Sequence, residues 1–537
     1  MSPLPRLDRM DEYTRKGAHL ALRQIAWAPE QLAARRLAGQ FREGATGDQG
    51  AGPRVMILTP RDWAAHVQWE GVIAQGLRLR GADVRFVTCG GGLPICDRVN
   101  THEGPPPPCT SCRRYVHDSL DAHGFPRTAL RSEWTEEVED WPELDEMSVP
   151  ELFDVVDNGV ALGRLVDIPS KWFLMAASVE DDPLWGITTR RFLRSGRRIS
   201  RAMGTLLDEI EPDVALLLNG LFLFEAITWE LCRQRQIDVV TYERGFIKDT
   251  LLFRRGAPAC LGDVSDLWQR WADVPLTADQ EATLDAYLDD RRRGRRTIDR
   301  YWDDARFDVP ERPANGRLVV LFSNLTWDSA VIGQGLAFTN LQEWLAAIVE
   351  LFRARPQHEL VIRVHPAEVK LSGKQTREPV EPFLADVFPE LPQNVTVMSA
   401  DDPTSSYPLM EMADIGLVFT STTGLEMAMY GKPVVVAGRT HYRGKGFTVD
   451  VSSPSEVEAR LDALLEVPTP ADVELARRYA YLFFFRAPVP FPAVEEHVPG
   501  LVRIRASELA SLAPGGDPGI DRICDGILSG GDFSADA

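Results

Sequence analysis

The sequence predicts an α/β protein with two Rossmann-like domains that face each other across a cleft, preceded by a helical arm. Short apolar runs alternate with helix-length amphipathic segments, which is the pattern of a parallel sheet with helical crossovers. The alternation occurs in two blocks, and a long polar stretch separates them. Because ligands of such folds bind at the carboxyl ends of strands, we expect a site in the cleft between the two halves.

The first block follows an N-terminal segment, residues 1–50, that is predicted to be an amphipathic helical arm. We assign residues 51–305 to the N-terminal domain. The apolar runs and helical periodicity of this domain predict four strands, at 55–58, 84–87, 214–218 and 239–242, and two helices, at 67–80 and 224–234. A helical, charged and tryptophan-containing insertion is predicted over 113–210.

The second block begins at residue 318, and we assign residues 306–480 to the C-terminal domain. Its predicted strands are 318–322, 360–364, 395–398, 415–419 and 434–437, with a helix over 341–353. A polar helix over 279–300 is expected to connect the domains, and its arginine run, 291–296, is expected to be a solvated face. Residues 481–537 are predicted to form a helical or irregular tail.

The composition narrows the classes of function. The chain has 537 residues, 44% hydrophobic and 26% charged, with a formal net charge of −20. These fractions are ordinary for a globular protein, and the acidic balance argues against nucleic-acid binding, which needs a basic face. No apolar run is long enough to cross a membrane, and the N-terminus does not resemble a secretory signal. We therefore expect a cytoplasmic protein, and peripheral association with the inner face of the membrane stays open.

Four hydroxyl residues, Thr420, Ser421, Thr422 and Thr423, follow the predicted strand 415–419. Together with Gly424 they open a predicted helix, whose free N–H groups and dipole favour an anion. Glu426 lies in the first turn of that helix, within reach of a ribose hydroxyl. The alternative is a simple N-cap, which Ser and Thr often provide. Four hydroxyls exceed what a cap needs, so we interpret the cluster as a phosphate site.

A second strand ends in a histidine followed by a proline. In the segment 360–366, Arg363 and His365 are two residues apart and therefore lie on the same face of the strand, and Pro366 stops the strand. A single histidine is usually structural. This one is expected at the ligand-binding edge of a sheet, one βαβ unit before the hydroxyl cluster, so we interpret both motifs as parts of one phosphate site.

The N-terminal domain offers an acid at a strand end. Glu243 ends the strand 239–242, before Gly245 and Lys248, and a carboxylate facing the other domain is suited to act as a general base. The alternative is a surface acid beside a turn. His66, Asn219, Gly220 and Lys248 are the other residues that we place in the cleft, near the acceptor.

Four motifs together resemble a known family. The segments 243–248, 363–366, 420–426 and 438–448 are similar to the ordered motifs of bacterial capsular polysaccharide biosynthesis glycosyltransferases, which include transferases of 3-deoxy-D-manno-octulosonic acid (Kdo) with the two-domain GT-B architecture. The resemblance covers roughly residues 210–450.

The resemblance implies a function and a set of roles. It implies transfer of a sugar from a CMP-, UDP- or GDP-linked donor to a carbohydrate or lipid-linked acceptor. Glu243 would be the catalytic residue, His365 would bind the donor phosphate, and Ser421 with Thr422 would hold the nucleotide phosphate. Arg244 departs from the family pattern, in which a second acid is common at this position.

No Asp-x-Asp motif lies at a predicted strand end, and we therefore expect catalysis without a metal cofactor. Arg363, His365, Lys445 and a helix N-terminus would supply the positive charge that a diphosphate needs. Two other functions stay open. One is a glycerophosphotransferase of the teichoic-acid type, and the other is a nucleotide-sugar-binding scaffold without activity.

The cysteines suggest a separate site. Cys96, Cys109 and Cys112, with Cys89 or His102 as the fourth ligand, are a candidate set for structural zinc. The spacing contains a single Cys-x-x-Cys pair. An iron–sulfur cluster, free thiols and a disulfide are the alternatives.

Overall fold

The structure is a computed structural model that describes residues 12–25, 27–44, 52–134, 141–293, 316–371, 373–498 and 500–535. The predicted extension of the connecting helix beyond residue 293 lies outside these residues, as do the first eleven residues of the predicted arm. No helix within these residues is both long and apolar enough to cross a membrane.

The first sheet is doubly wound. Its strands in chain order are β1 (Arg54–Leu58), β2 (Asp83–Thr88), β3 (Arg127–Ala129), β4 (Val214–Leu218), β5 (Asp238–Arg244) and β6 (Thr250–Arg255). The spatial order is β6-β5-β4-β1-β2-β3, with β6 antiparallel to β5 and the others parallel. The four strands predicted for this domain are confirmed. The strand order reverses between β1 and β4, and ligands bind at such switch points.

The second sheet repeats this topology. Its strands are β7 (Leu318–Phe322), β8 (Glu359–Arg363), β9 (Val395–Met398), β10 (Ile415–Val418), β11 (Val434–Val436) and β12 (Val449–Asp450). They are all parallel, in the order β12-β11-β10-β7-β8-β9. The five predicted strands are confirmed, and the switch point lies between β7 and β10.

Twenty α-helices are found in the described residues. They are α1 (Glu12–Leu22), α2 (Pro29–Gly44), α3 (Ala64–Leu79), α4 (Cys109–His123), α5 (Glu143–Glu146), α6 (Val149–Leu152), α7 (Leu162–Leu165), α8 (Asp167–Leu174), α9 (Trp185–Ile210), α10 (Leu223–Gln234), α11 (Ser265–Trp271), α12 (Ala278–Arg292), α13 (Leu341–Arg353), α14 (Ala367–Lys370), α15 (Val380–Val387), α16 (Ser406–Met412), α17 (Thr423–Met429), α18 (Pro454–Glu466), α19 (Val473–Tyr481) and α20 (Pro518–Ser529).

Each sheet is buried on both faces, as parallel sheets require. Alternate residues of β1 point to opposite faces: Val55 and Ile57 belong to one apolar core, and Met56 and Leu58 to another. The strand β7 is divided in the same way between two further cores. The molecule is therefore an α/β protein of two Rossmann-like domains, as predicted.

The packing places the domain boundaries differently from the sequence. Leu267 of α11 and Leu284 of α12 are buried in the same core as Leu318 of β7. These helices therefore pack with the C-terminal domain, although the sequence assigned them to the N-terminal one. The cause is their apolar faces, which a composition dominated by charge conceals.

The predicted tail returns to the N-terminal domain. Strand β13 (Val489–Pro490) pairs with β6 and extends the first sheet. The hairpin of β14 (Val494–Val498) and β15 (Leu501–Ile504) follows, and Ile520 and Ile523 of α20 enter the same core as α3. The helical arm packs on this domain as well, through Ala34 and Leu37 of α2. The chain therefore crosses between the domains twice.

Candidate functional site

The end of β4 is shaped by two residues of unusual backbone conformation. Asn219 has a positive φ of 33° and Gly220 one of 94°, and an added Cβ at Gly220 would lie 2.7 Å from the Trp229 ring. The Asn219 N–H donates to the Tyr242 carbonyl (2.8 Å), and its side-chain oxygen accepts from the Leu221 N–H (2.8 Å). A non-glycine residue held at positive φ is a marker of functional sites. The predicted pair therefore lies at the switch point.

Glu243 lies next to this turn, near the end of β5. Its carboxylate accepts from the backbone N–H of Arg244 at 2.8 Å and from the side-chain amide of Asn219. Burial raises the pKa of Glu243 above its ordinary value, and the nearby carboxylate of Asp328 raises it further. A half-buried carboxylate with a raised pKa is typical of a catalytic acid or base.

Asp328 is a site residue that the sequence analysis missed. It lies in the loop after β7 in the C-terminal domain. Its carboxylate raises the pKa of Glu243 in the other domain, which indicates that both residues line the same cleft. Burial also raises the pKa of Asp328, and the ammonium of Lys374 opposes that rise. The thiol of Cys260 donates to the Asn219 carbonyl at 3.7 Å. Burial raises its pKa well above the ordinary value, and the carboxylates of Glu243 and Asp328 raise it further. An acid in an irregular loop gives no signal in a single sequence.

The residues after Glu243 are arranged as the extended strand predicts. Arg244 points to the other side, where it forms an ion pair with Glu496 from β14. Position 245 has no room for a side chain, because an added Cβ at Gly245 would lie 2.1 Å from the Thr250 hydroxyl. Lys248 is exposed in the turn between β5 and β6, and no described contact places it with the cleft residues.

His66 belongs to a hydrogen-bonded network behind Glu243. Its Nδ1 lies 3.5 Å from the Tyr242 hydroxyl, which donates to Glu70 at 2.6 Å. Burial lowers the pKa of His66 well below its ordinary value, and Arg244 and Arg61 lower it further. Burial raises the pKa of Glu70 to about 8. His66 is therefore neutral at pH 7, and we assign it to the wall of the cleft.

In the C-terminal domain, hydrogen bonds join the ends of three adjacent strands. The Ser323 hydroxyl, after β7, accepts from the His365 N–H at 2.9 Å, and the Asn324 side chain accepts from the Thr420 N–H at 3.2 Å. Neither Ser323 nor Asn324 was predicted from the sequence. They could have been, because they are polar residues directly after an apolar strand, like His365 and the hydroxyl cluster 420–423.

His365 is poised to donate a hydrogen bond rather than to supply charge. Its Nδ1 accepts from the Ala367 N–H at 3.2 Å, which leaves the ring hydrogen on Nε2. Burial lowers the pKa of His365 to about 4, and Arg363 lowers it further. The ring is therefore neutral at pH 7 in this structure, and the positive charge predicted beside a bound phosphate stays a prediction. Pro366 directly precedes α14.

The hydroxyl cluster divides into different roles. The buried Oγ1 of Thr420 has no hydrogen-bond partner in the described part of the chain. Ser421 donates to the Thr423 hydroxyl at 3.0 Å and accepts from the Thr423 N–H at 3.3 Å, which is local capping. Thr422 is half-buried beside them. Gly424 is fixed by packing, because an added Cβ would lie 2.3 Å from the Tyr442 hydroxyl.

Two predicted cations have other partners. Arg363 is buried, and its guanidinium donates to the backbone carbonyls of Ser399, Asp402 and Thr404, so it holds the loop after β9. Lys445 donates to the Ser265 hydroxyl, and its ammonium is surrounded by acidic side chains. The predicted phosphate roles of Arg363 and Lys445 stay predictions, and both side chains already have partners within the protein.

Glu426 is engaged by the helix that was expected to be solvated. Arg291 of α12 donates to one carboxylate oxygen of Glu426 at 2.7 Å, and both side chains are mostly buried. The other oxygen of Glu426 has no hydrogen-bond partner in the described residues. The ribose contact of Glu426 stays a prediction, whereas the solvated position of Arg291 is wrong because the arginine neutralises a buried acid.

Contacts between the domains border the cleft. Trp172 and Phe222 of the N-terminal domain pack with Leu325 and Trp327 of the C-terminal domain in one apolar cluster. Beside this cluster, the carboxylate of Glu378 accepts the backbone N–H groups of residues 177 and 178, both at 2.8 Å. The two switch points therefore belong to one site.

The predicted metal ligands lie beside this site, near the ends of β1 and β2. Cys89, Cys96, Cys109 and Cys112 are free thiols that line one cavity. His102 is directed elsewhere, with its Nε2 2.9 Å from the Gln375 carbonyl oxygen. Among the described residues, no group of three or more His, Cys, Asp and Glu side chains is placed to hold a single metal ion.

The two doubly wound sheets and their shared cleft define the class of fold, a two-domain Rossmann-like architecture of the GT-B kind. A match to a protein family agrees with this class of fold. Residues 280–468 match the family described as "Capsule polysaccharide biosynthesis protein", which confirms the predicted resemblance over the C-terminal domain and α12. No curated protein sequence matches the chain significantly.

Solved structures show weaker likeness. The Thermosulfurimonas dismutans KpsC β-Kdo 2,7 transferase is 16% identical, with 54% of this chain and 82% of that chain covered and a TM-score of 0.33. The β-Kdo 2,4 transferase of the same protein is 17% identical, covering 56% and 87%, with a TM-score of 0.35. The S. aureus MnaA–UDP structure is 10% identical, covering 88% and 96%, with a TM-score of 0.28. These TM-scores are low, and the class of fold is therefore assigned from the topology of the two sheets alone.

Proposed function

We propose that the protein is a glycosyltransferase that moves a sugar from a nucleotide-activated donor to a carbohydrate or surface-polymer acceptor in capsule or cell-surface polysaccharide synthesis. The observation that carries this proposal is the packing of the two domains at the cleft, where Trp172 and Phe222 contact Leu325 and Trp327. Glu243 lies near the end of β5 and Asp328 in the loop after β7, and the carboxylate of Asp328 raises the pKa of Glu243. Donor-binding and acceptor-binding edges therefore meet at one point.

The donor phosphates would bind at the ends of β7, β8 and β10. Thr420 offers a buried hydroxyl that lacks a partner in the described residues, and His365 carries a hydrogen on Nε2. Both are neutral donors, and their backbone N–H groups are held in place by the hydrogen bonds that they donate to the side chains of Ser323 and Asn324. Donors that are fixed before the reaction stabilise the charge that a leaving phosphate develops. Glu426 stays the candidate for the ribose.

Glu243 would act on the acceptor. As the acceptor oxygen bonds to the anomeric carbon, its proton passes to the Glu243 carboxylate. The bond between that carbon and the phosphate oxygen breaks, and its electron pair leaves with the nucleotide. The Asn219 amide and the Arg244 N–H hold the carboxylate in place. No step assigned to these residues requires a divalent cation, and we propose that transfer proceeds in a chelator.

Product analysis tests this function. The purified protein is incubated with radiolabelled CMP-, UDP- and GDP-sugars and with CDP-glycerol, together with a capsule-type oligosaccharide acceptor. We expect a labelled glycan and one free nucleotide from a nucleotide sugar. Labelled product from CDP-glycerol alone would support a glycerophosphotransferase instead. Nucleotide binding without any product would support an inactive scaffold.

A further inference from the structure

Four of the seven cysteines line one small cavity, of about 30 Å³, near the carboxyl ends of β1 and β2. Cys89 directly follows β2, Cys96 lies in the next loop, and Cys109 and Cys112 lie in the first turn of α4. The proposed transfer reaction uses none of them. The remaining cysteines, Cys232, Cys260 and Cys524, lie elsewhere.

Two of the four sulfur atoms accept backbone hydrogen bonds. The Gly91 N–H donates to Cys89 and the Gly92 N–H to Cys109, each at 3.4 Å. Backbone N–H groups that converge on one concave site are typical of anion and iron–sulfur sites, and neutral thiols do not need them.

The glycines between the strand and the cavity make these bonds possible. Gly90, Gly91 and Gly92 have φ values of 78°, 83° and 95°, a region that other residues rarely adopt. A Cβ at Gly91 would lie 3.1 Å from the Cβ of Cys109. Three successive left-handed residues turn the backbone N–H groups toward the sulfur atoms.

We propose that Cys89, Cys96, Cys109 and Cys112 bind an iron–sulfur cluster. Four thiolates on one zinc ion each lie about 2.3 Å from it, and no group of described side chains is closed around a single ion in this way. The sulfur atoms instead surround a cavity, as the ligands of a larger cluster do. Each thiol gives up its proton on binding. Cys89, rather than His102, is the fourth ligand.

The cluster would fix a loop that bridges the domains. Between Cys96 and Cys109, the Asn100 side chain donates to the Gly373 carbonyl at 2.8 Å, and His102 contacts the Gln375 carbonyl at 2.9 Å. Both partners lie in the C-terminal domain, next to Lys374. The role of the cluster is therefore to hold the loop of residues 89–112 against the C-terminal domain, at the edge of the cleft.

Metal and sulfide analysis of anaerobically purified full-length protein tests this proposal. We expect between about two and four iron atoms per chain and an equal amount of acid-labile sulfide. Zinc without sulfide would overturn the cluster, and the absence of both metals after reconstitution with iron and sulfide would overturn the site. Neither result depends on transferase activity, so the proposed function is tested separately.

Variants identify the ligands. Cys89→Ser, Cys109→Ser and Cys112→Ser should each lose most of the iron and the visible absorption of the cluster. Cys232→Ser, which changes a buried cysteine outside the cavity, and His102→Ala should keep both. Full iron content in the Cys89 variant, or its loss in the His102 variant, would contradict the assigned ligand set even if a cysteine variant folded poorly.

Discussion

Glu243 owes its proposed reactivity to three neighbours: Arg244, which follows it directly in the sequence, Asn219 and Asp328. Arg244 and Asn219 donate hydrogen bonds that favour the ionised carboxylate, whereas burial and Asp328 favour the protonated one. The pKa of Glu243 is raised, which shows that burial and the repulsion from Asp328 outweigh the stabilisation of the ionised carboxylate by Arg244 and Asn219. The position of Glu243 at a strand end could be predicted from the sequence, but Asp328 could not, because only the fold brings it near.

The pH dependence of kcat/KM reports this balance. The base works only when ionised, so activity should fall as the pH drops through the raised pKa of Glu243, above the range of an ordinary glutamate. Asp328→Asn removes a negative charge, lowers the pKa of Glu243 and should move this acid limb to lower pH. Asp181→Asn, an exposed change, is the control. An unmoved limb in Asp328→Asn would contradict the proximity of the two acids.

Donor affinity tests the hydroxyl and the histidine at the other switch point. Thr420→Val and His365→Ala each remove a neutral donor from the proposed phosphate site and should cost about 1–3 kcal/mol, a roughly 5- to 150-fold rise in Kd. The Ser421→Ala/Thr422→Ala pair should act in the same direction, with part of the loss in helix capping. Calorimetric titration with the nucleotide measures the Kd of each variant. The control is Thr283→Val, on the exposed face of α12, which should leave the Kd unchanged. Unchanged Kd in the first two variants would remove the phosphate assignment.

At the scale of elements, the start of α17 is set by packing against Tyr442. This tyrosine is fully buried and donates to the Ser421 carbonyl, which fixes the turn that carries the hydroxyl cluster. Gly424→Ala would place a Cβ 2.3 Å from the Tyr442 hydroxyl and should lower the free energy of unfolding by about 1–3 kcal/mol. Urea unfolding measures it.

Two further variants test whether the contact between the added Cβ and the Tyr442 hydroxyl causes the loss of stability in Gly424→Ala. Tyr442→Phe removes the hydroxyl, so the Gly424→Ala/Tyr442→Phe pair should recover part of the loss that Gly424→Ala causes. Gly39→Ala, in α2 with no atom within 4 Å of the added Cβ, should be neutral or stabilising. Equal stability of Gly424→Ala and the unchanged protein would show that the turn can shift.

Elements with a strong local pattern were predictable, and those that depend on distant partners were not. The nine predicted strands are confirmed because buried parallel strands are continuous apolar runs. The two-residue strand β13 gave no pattern, since its place is set by β6, which precedes it by more than 200 residues. Arg291 was misplaced for a similar reason: its partner, Glu426, is 135 residues away.

At the scale of the whole molecule, two sheets of the same topology place their switch points on one cleft. The sequence predicts this arrangement, because both blocks alternate in the same way and ligands bind at strand ends. It does not predict how the halves are joined. The return of the tail and the apolar cluster around Trp327 both depend on contacts between distant segments. These contacts fix how Glu243 faces the donor site.

Turnover and donor affinity of Glu243→Gln, measured together with the nucleotide sugar that gives product, test the proposed transfer most directly. Glutamine keeps the size and most hydrogen bonds of Glu243 and removes the base. We predict nearly unchanged Kd for the donor nucleotide and a fall in kcat of roughly 10²-fold or more, with Glu209→Gln, an exposed change on α9, at full activity. A kcat within a few-fold of the unchanged protein, or a loss of donor affinity at normal kcat, would contradict the role of Glu243 as the base.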